Sequence, residues 1–144
     1  MKKRGIRAKL ERVLSDLGCH DRELSVLFTD DRRIAQLNAR YRGKEGPTNV
    51  LSFPMFDFSA PAEKPAEIET SLLGDVVISV DTAQREAEES GEPFEQTVDR
   101  LLIHGILHLL GHDHVDSEEQ AVMMEREEER LLALLEMPKV PKKS

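Results

Sequence analysis

Apolar residues recur along the chain in short segments whose spacing changes from helical to extended and back. The first segment places apolar side chains three or four residues apart and stops near Gly18, which predicts an amphipathic helix. The alternating segment ELSVLFT predicts a strand. A short helix follows, with Asp30 or Asp31 as its cap and Tyr41 among its apolar positions. The opening of the chain is therefore predicted as helix, strand and helix.

The middle of the chain contains two segments typical of strands. TNVLSFPMF predicts a strand that ends at Pro54, and the prolines and small polar residues after it predict an exposed, mobile loop. LLGDVVISV is short and rich in β-branched residues, which predicts a buried strand. Asp81 is the candidate cap of the helix that follows, and Gly91 ends that helix.

Two further helices complete the pattern. Pro93 takes a first-turn position in a helix whose apolar residues cover a broad face. The last helix runs from about Ser117 to Glu136, and its apolar residues expected to face inward are Val122, Met123, Leu131, Leu132 and Leu135. This mixture favours an α/β (α+β) layer fold, in which a small mixed sheet of three or four strands packs with about five helices. A chain of 144 residues fits one domain, which we assign to residues 1–137, followed by a basic tail at 138–144.

Composition narrows the function classes. The single cysteine, Cys19, cannot pair within the chain, which favours a reducing compartment and makes the cytoplasm the expected location. No apolar run approaches the roughly 20 residues of a membrane span, and the basic N-terminal segment lacks the separate apolar region of a signal peptide. The formal net charge of -8 argues against general nucleic-acid binding, because bulk electrostatics repel a polyanion.

The charge is distributed unevenly along the chain. Residues 31–44 contain a basic island, whereas residues 113–130 are dominated by Asp and Glu. The island consists of Arg32, Arg33, Arg40, Arg42 and Lys44. On the charge pattern alone, a solvated helix face and a local anion-binding surface are equally good interpretations.

Four of the five histidines lie in HGILHLLGHDH, residues 104–114. On a helix, His104 and His108 lie on one face with their Cβ atoms about 5–6 Å apart. Gly111 lets the chain turn sharply out of the helix, so that His114 can return to the same point. Three neutral imidazoles at the end of the apolar helix would hold one divalent cation and leave a fourth position open, as in catalytic zinc sites. One Zn²⁺ per chain is expected, although Ni²⁺ and other divalent ions also accept imidazole.

The spacing HxxxHxxGxxH is that of the metzincin zinc proteases, which makes coincidence a poor explanation. Those proteases place a glutamate directly after the first histidine as general base, whereas this chain has Gly105 there. A protease would therefore lack its base. RNA cleavage requires fewer catalytic groups from the protein, because the ribose 2′-hydroxyl of the substrate can act as the nucleophile. His112, beyond the glycine, is expected to face solvent or to support a ligand rather than to bind the metal.

Together with the histidines, three other segments make the chain resemble the YbeY-type bacterial endoribonucleases, also described as ribosomal RNA maturation factors. These segments are LNARYRGKEGPTNVLSFP, SLLGDVVIS and the acidic helix after the histidines. The resemblance implies a single-domain α/β fold with metal ligands at His104, His108 and His114. It also implies cleavage of single-stranded RNA, maturation of ribosomal RNA ends such as the 3′ end of 16S rRNA, ribosome quality control, and association with the ribosome or its small subunit without a membrane partner.

The resemblance also matches the family's functionally important arginine to Arg42, in YRGK. Arg42 would then face the phosphate near the metal, while Arg40, Lys44 or the Arg32 and Arg33 pair hold flanking phosphates. A surface ion pair is the alternative role for Arg42.

Two other function classes are compatible with the sequence. A metal-dependent hydrolase of peptides, esters or small molecules would use the same three histidines, and metal-dependent turnover of such substrates without RNase activity would favour it. A ribosome-associated factor would use the metal only to hold its fold. Restoration of rRNA processing by a folded, metal-free variant would favour that factor.

Overall fold

The computed structural model describes residues 3–19, 22–54, 72–110 and 117–136. Within these residues the chain forms five helices and three strands, in the order α1 (Lys3–Asp16), β1 (Glu23–Thr29), α2 (Asp31–Arg42), β2 (Val50–Pro54), β3 (Leu72–Ser79), α3 (Val80–Ser90), α4 (Phe94–Leu109) and α5 (Glu118–Glu136). The order and type of these elements are those that the apolar spacing predicts. The expected mobile loop after Pro54 and the basic tail at 138–144 lie outside the described residues.

The three strands form one mixed sheet in the order β1-β3-β2. β1 runs parallel to β3, with Val26 opposite Val76, and β2 runs antiparallel to β3, with Leu51 opposite Val77. Successive side chains of a strand point to opposite faces. Val76 therefore belongs to the larger core, which contains α4, while Val77 packs with Ile34 of α2. A small mixed sheet between helices confirms the α+β fold class.

Helix α4 is the centre of the larger core. Leu102, Ile103, Ile106 and Leu107 are each 2% exposed or less, and α5 packs against α4 while α1 packs against α5. Pro93 occupies the N-cap of α4, one position before the predicted first turn, where its fixed φ suits the entering chain. Within the described residues, no helix has the length and apolar character needed to cross a membrane.

The N-termini of α2 and α3 share their capping groups. Of the two predicted caps of α2, Asp30 takes the position by accepting the backbone N–H of Arg33 at 2.8 Å. For α3 the prediction of Asp81 is wrong, since the N-cap acceptor is the Ser79 hydroxyl. The reason is that α3 begins directly after β3, so the last residue of the strand takes the capping position. Asp81 instead accepts the backbone N–H of Asp31 in the first turn of α2, at 3.0 Å.

The inward face of α5 differs from the prediction in its first turns. Met124, Leu131 and Leu132 are buried, whereas Val122 and Met123 are 45% and 68% exposed. Residues seven and eight positions apart lie on one helical stripe. The buried stripe therefore starts at Met124, and the prediction that Val122 and Met123 face inward is wrong.

Helix α4 approaches the sheet closely at Gly105. A Cβ atom there would lie 2.8 Å from Val76 Cγ1 and 3.2 Å from the Ser52 hydroxyl oxygen. The Ser52 hydroxyl also donates to the Gly105 carbonyl at 3.2 Å, which ties β2 to α4. Position 105 therefore faces the sheet and has no room for a side chain. Packing explains why the glutamate of the protease pattern is missing.

Replacing Gly105 by alanine is expected to destabilise the protein. Val76 is buried and branched at Cβ, so it cannot move aside easily. Overpacking of this kind costs about 1–3 kcal/mol, which outweighs the gain of about 0.5–1 kcal/mol from alanine in a helix. Gly5→Ala is the matched control, since a Cβ at Gly5 meets nothing within 4 Å. Urea denaturation of both variants measures the effect. If Gly105→Ala unfolds at the same midpoint urea concentration as the wild type, position 105 is not closely packed.

Candidate functional site

A cleft of about 660 Å³ lies between the C-terminal end of α2, strand β2 and helix α4. It brings together three residues singled out by the sequence, namely Arg42, His104 and His108. The other described lining residues are Tyr41, Thr48, Asn49, Val50, Ser52, Phe53 and Pro54. This lining contains an arginine and two histidines but no carboxylate among its described residues. The described part of the cleft therefore favours an anionic ligand, although the whole chain is acidic.

His104 and His108 lie side by side on α4. Their ring centroids are 4.3 Å apart and their planes are inclined by 50°. Both residues are half-buried and line the cleft. The third predicted ligand, His114, lies outside the described residues together with Gly111 and His112. The described residues thus provide a pair of imidazoles, and no group of three metal-binding side chains is found among them.

Glu128 of α5 holds the ring of His104. Its carboxylate Oε1 lies 2.5 Å from His104 Nδ1. A neutral imidazole that donates its proton from Nδ1 presents a lone pair at Nε2, which is the atom left for a metal.

Glu128 was not among the predicted site residues, because α5 contains many acidic side chains. One signal could have identified it. Glu128 comes four residues after Met124 and four before Leu132, both buried. It is therefore a carboxylate on the apolar stripe of an amphipathic helix, where an acidic residue needs a partner.

Arg42 reaches the cleft because α2 ends directly after it. Gly43 adopts a left-handed conformation with φ 65°; its N–H bonds back to the carbonyl of Ala39, and the N–H of Lys44 bonds back to the carbonyl of Asn38. The buried Asn38 side chain then ties the following loop to the helix by donating to the Gly46 carbonyl at 3.0 Å. This helix end and its bonded loop hold the YRGK segment beside β2.

The rest of the basic island lies outside the described lining of the cleft. Arg40 has its guanidinium carbon 5.3 Å from the centroid of the Tyr41 ring, and Lys44 is exposed beyond the end of α2. The other two arginines of the island lie in the first turn of α2, at the opposite end of the helix. The island is therefore divided, and Arg42 is its one residue in the described lining of the cleft.

Comparison with known proteins identifies a family. The sequence model described as Endoribonuclease YbeY matches residues 2–135, a span that includes all the predicted site residues. A protein named Endoribonuclease YbeY from Geobacter metallireducens is 48% identical over 132 residues, covering 91% of this chain and 85% of that protein. A protein of the same name from Persephonella marina is 45% identical over 122 residues, covering 85% of this chain and 76% of that protein.

A solved structure shares the fold. The solution structure of a Thermotoga maritima protein aligns with a TM-score of 0.64 at 23% sequence identity, covering 98% of this chain and 91% of that chain. At this level of identity, the similarity concerns the arrangement of helices and strands.

Proposed function

Because the chain belongs to the endoribonuclease YbeY family, we propose that it is a metal-dependent endoribonuclease that cleaves single-stranded RNA. We further propose that it acts in the cytoplasm with the small ribosomal subunit, in maturation of ribosomal RNA, including the 3′ end of 16S rRNA, and in ribosome quality control. The observation that carries the proposal is the cleft in which Arg42 lies with His104 and His108.

The residues of the cleft fit a zinc ion. His104 and His108 are neighbouring imidazoles on one helix face, and the contact of Glu128 with Nδ1 of His104 leaves Nε2 for the metal. His114 would provide the third imidazole, and Ni²⁺ or another divalent ion would accept the same donors. A bound ion of this kind supplies Lewis acidity toward a phosphate and makes a nucleophile available at neutral pH.

Arg42 would hold the scissile phosphate. A planar guanidinium donates paired N–H groups to phosphate oxygens, and it neutralises the charge that grows on them in the transition state. The nucleophile is either water or the ribose 2′-hydroxyl, and the product ends distinguish the two. Attack by water leaves a 5′-phosphate, whereas attack by the 2′-hydroxyl leaves a 2′,3′-cyclic phosphate.

Metal content and cleavage, measured on one preparation of purified protein, test this proposal. We expect about one zinc ion per chain, in keeping with a single three-ligand site, and cutting of a defined single-stranded rRNA fragment. Chelation should remove the activity, and added zinc should restore it. Metal-dependent turnover of esters or peptides without RNA cleavage would overturn the proposal in favour of another hydrolase class.

Replacing Glu128 by glutamine is expected to weaken zinc binding by about 10–100-fold, the usual cost of losing a group that orients a metal-bound histidine. The amide keeps the size of the side chain but loses the charge that fixes the ring of His104. Competition with a chromophoric chelator measures the zinc affinity.

Glu129→Gln is the matched control for this substitution. It makes the same chemical change one residue along α5, at an exposed position. If both variants bind zinc as the wild type does, Glu128 does not orient a ligand. Thermal unfolding of the metal-free proteins separates a loss of affinity from a loss of fold.

A further inference from the structure

Beside the histidine pair, the cleft has an aromatic corner formed by Tyr41 and Phe53. Their ring centroids are 5.4 Å apart and their planes are inclined by 71°. Both residues line the cleft that contains His104 and His108. The Phe53 ring braces the Tyr41 ring, yet Tyr41 remains 57% exposed.

The packing of α2 against the sheet does not explain why an aromatic residue occupies position 41. Helical spacing predicts an apolar-face position for this residue, but the buried residues of α2 are Ile34 and Asn38. The helix ends one residue after Tyr41. The ring therefore lies at the rim of the cleft and not in the core.

Arg40 adds a cation beside this ring. Its guanidinium carbon lies 5.3 Å from the Tyr41 centroid, within the roughly 6 Å of a cation–π contact. Aromatic rings and arginine guanidinium planes are the side-chain surfaces on which unpaired bases stack. Both are found here within two residues of Arg42, the proposed phosphate contact.

We propose that the aromatic corner and Arg40 form a stacking subsite for one nucleobase of the RNA strand held at Arg42. This inference rests on the proposed function and adds a physical reason for a preference for single strands. A base within a duplex is already stacked and paired, so it cannot lie against the Tyr41 ring or the Arg40 guanidinium without being extruded. Because every base has a π-face, the subsite selects unpaired RNA without selecting a sequence.

The chain allows a direct optical test, because Tyr41 is its only tyrosine and it contains no tryptophan. Tyrosine emission therefore reports on Tyr41 alone. The probe is a 2′-O-methyl oligouridylate of about six nucleotides, a length within the usual range of single-strand sites. We expect it to quench the emission after correction for its absorbance. An abasic strand of equal length and charge should leave the emission unchanged.

Binding of labelled strands to variants gives a second, independent measurement. Tyr41→Ala should weaken binding of the oligouridylate by about 5- to 150-fold, the range for loss of one base stack, without affecting the abasic strand. Tyr41→Phe keeps the ring and should bind as the wild type does. Leu27→Ala is the matched control, since Leu27 is an exposed apolar residue, 49% accessible, on β1.

The outcomes separate this inference from the proposed function. Equal binding of base-bearing and abasic strands by the wild type would overturn the stacking subsite alone. Equal binding of the oligouridylate by Tyr41→Ala and Tyr41→Phe would do the same. Failure of the wild-type protein to bind either strand would overturn both the subsite and the proposed function. The fluorescence measurement uses only the wild-type chain, so it holds even where a variant folds poorly.

Discussion

Replacing His108 by alanine is expected to abolish zinc binding and RNA cleavage together in a chain that stays folded. Loss of a group that only orients a metal ligand lowers metal affinity or activity by about 10–100-fold. Loss of the ligand itself should therefore lower both the zinc affinity and the cleavage rate by more than about 100-fold. His108 is half-buried in the last turn of α4, outside the apolar core cluster. Its truncation should therefore leave the fold intact. Native mass spectrometry measures the zinc content, and initial rates on an rRNA fragment measure cleavage.

His20→Ala is the control for this experiment, because it removes one histidine that is far in sequence from the HGILHLLGHDH segment. Parallel purification of the two variants and the wild type gives each preparation the same exposure to contaminating nuclease. Retention of wild-type zinc affinity by His108→Ala would refute the proposed ligand set. Full cleavage by a zinc-free His108→Ala protein would refute metal-dependent catalysis.

The same variant distinguishes a catalytic metal from a structural one in cells. In a strain that lacks the gene, a folded His108→Ala protein should fail to restore processing of the 16S rRNA 3′ end. Restoration of processing by the folded, zinc-free variant would favour a ribosome-associated factor that needs no chemistry at the cleft.

The parts of the fold that depend on neighbouring residues were predictable from the sequence. Helical spacing places His104 and His108 on one face of α4, and the structure brings their rings together. The cap of α2 was predictable to within one residue, Asp30 or Asp31, because a capping carboxylate lies next to the N–H groups from which it accepts hydrogen bonds. The order of all eight elements in the described residues was correct for the same reason, since helix and strand spacing depends on residues close together in the sequence.

The parts that depend on contacts between distant elements were not predictable in this way. Glu128 meets His104 across 24 positions of sequence. From the sequence, Gly105 indicated only that the general base of the protease pattern is missing. The physical reason for a glycine at this position is the close approach of Val76 from β3, which the structure shows. The cap of α3 is Ser79 and not Asp81 because α3 starts directly after β3, and no residue pattern indicates that the linker is missing. Tertiary packing decided the cases of Glu128 and Gly105.

Arg42→Ala is expected to lower the rate of RNA cleavage by about 10²–10³-fold, the usual cost of removing one donor to a developing anion, while zinc content stays at the wild-type level. Arg42 lines the cleft without belonging to the imidazole pair, so the metal site should not depend on it. Arg42→Lys should recover part of the loss, because it keeps the charge but cannot donate in the paired geometry of a guanidinium.

The kinetic pattern tests whether Arg42 acts on the phosphate in the transition state. An interaction made only there lowers kcat and kcat/KM equally, whereas a ground-state phosphate contact raises KM alone. Loss of one phosphate contact should also reduce the salt dependence of binding by about 0.7 in the logarithmic slope for a single strand. Arg7→Ala removes an exposed arginine of α1 from a different groove and should change neither quantity. Wild-type kcat and KM together in Arg42→Ala would leave Arg42 with no more than a surface ion pair.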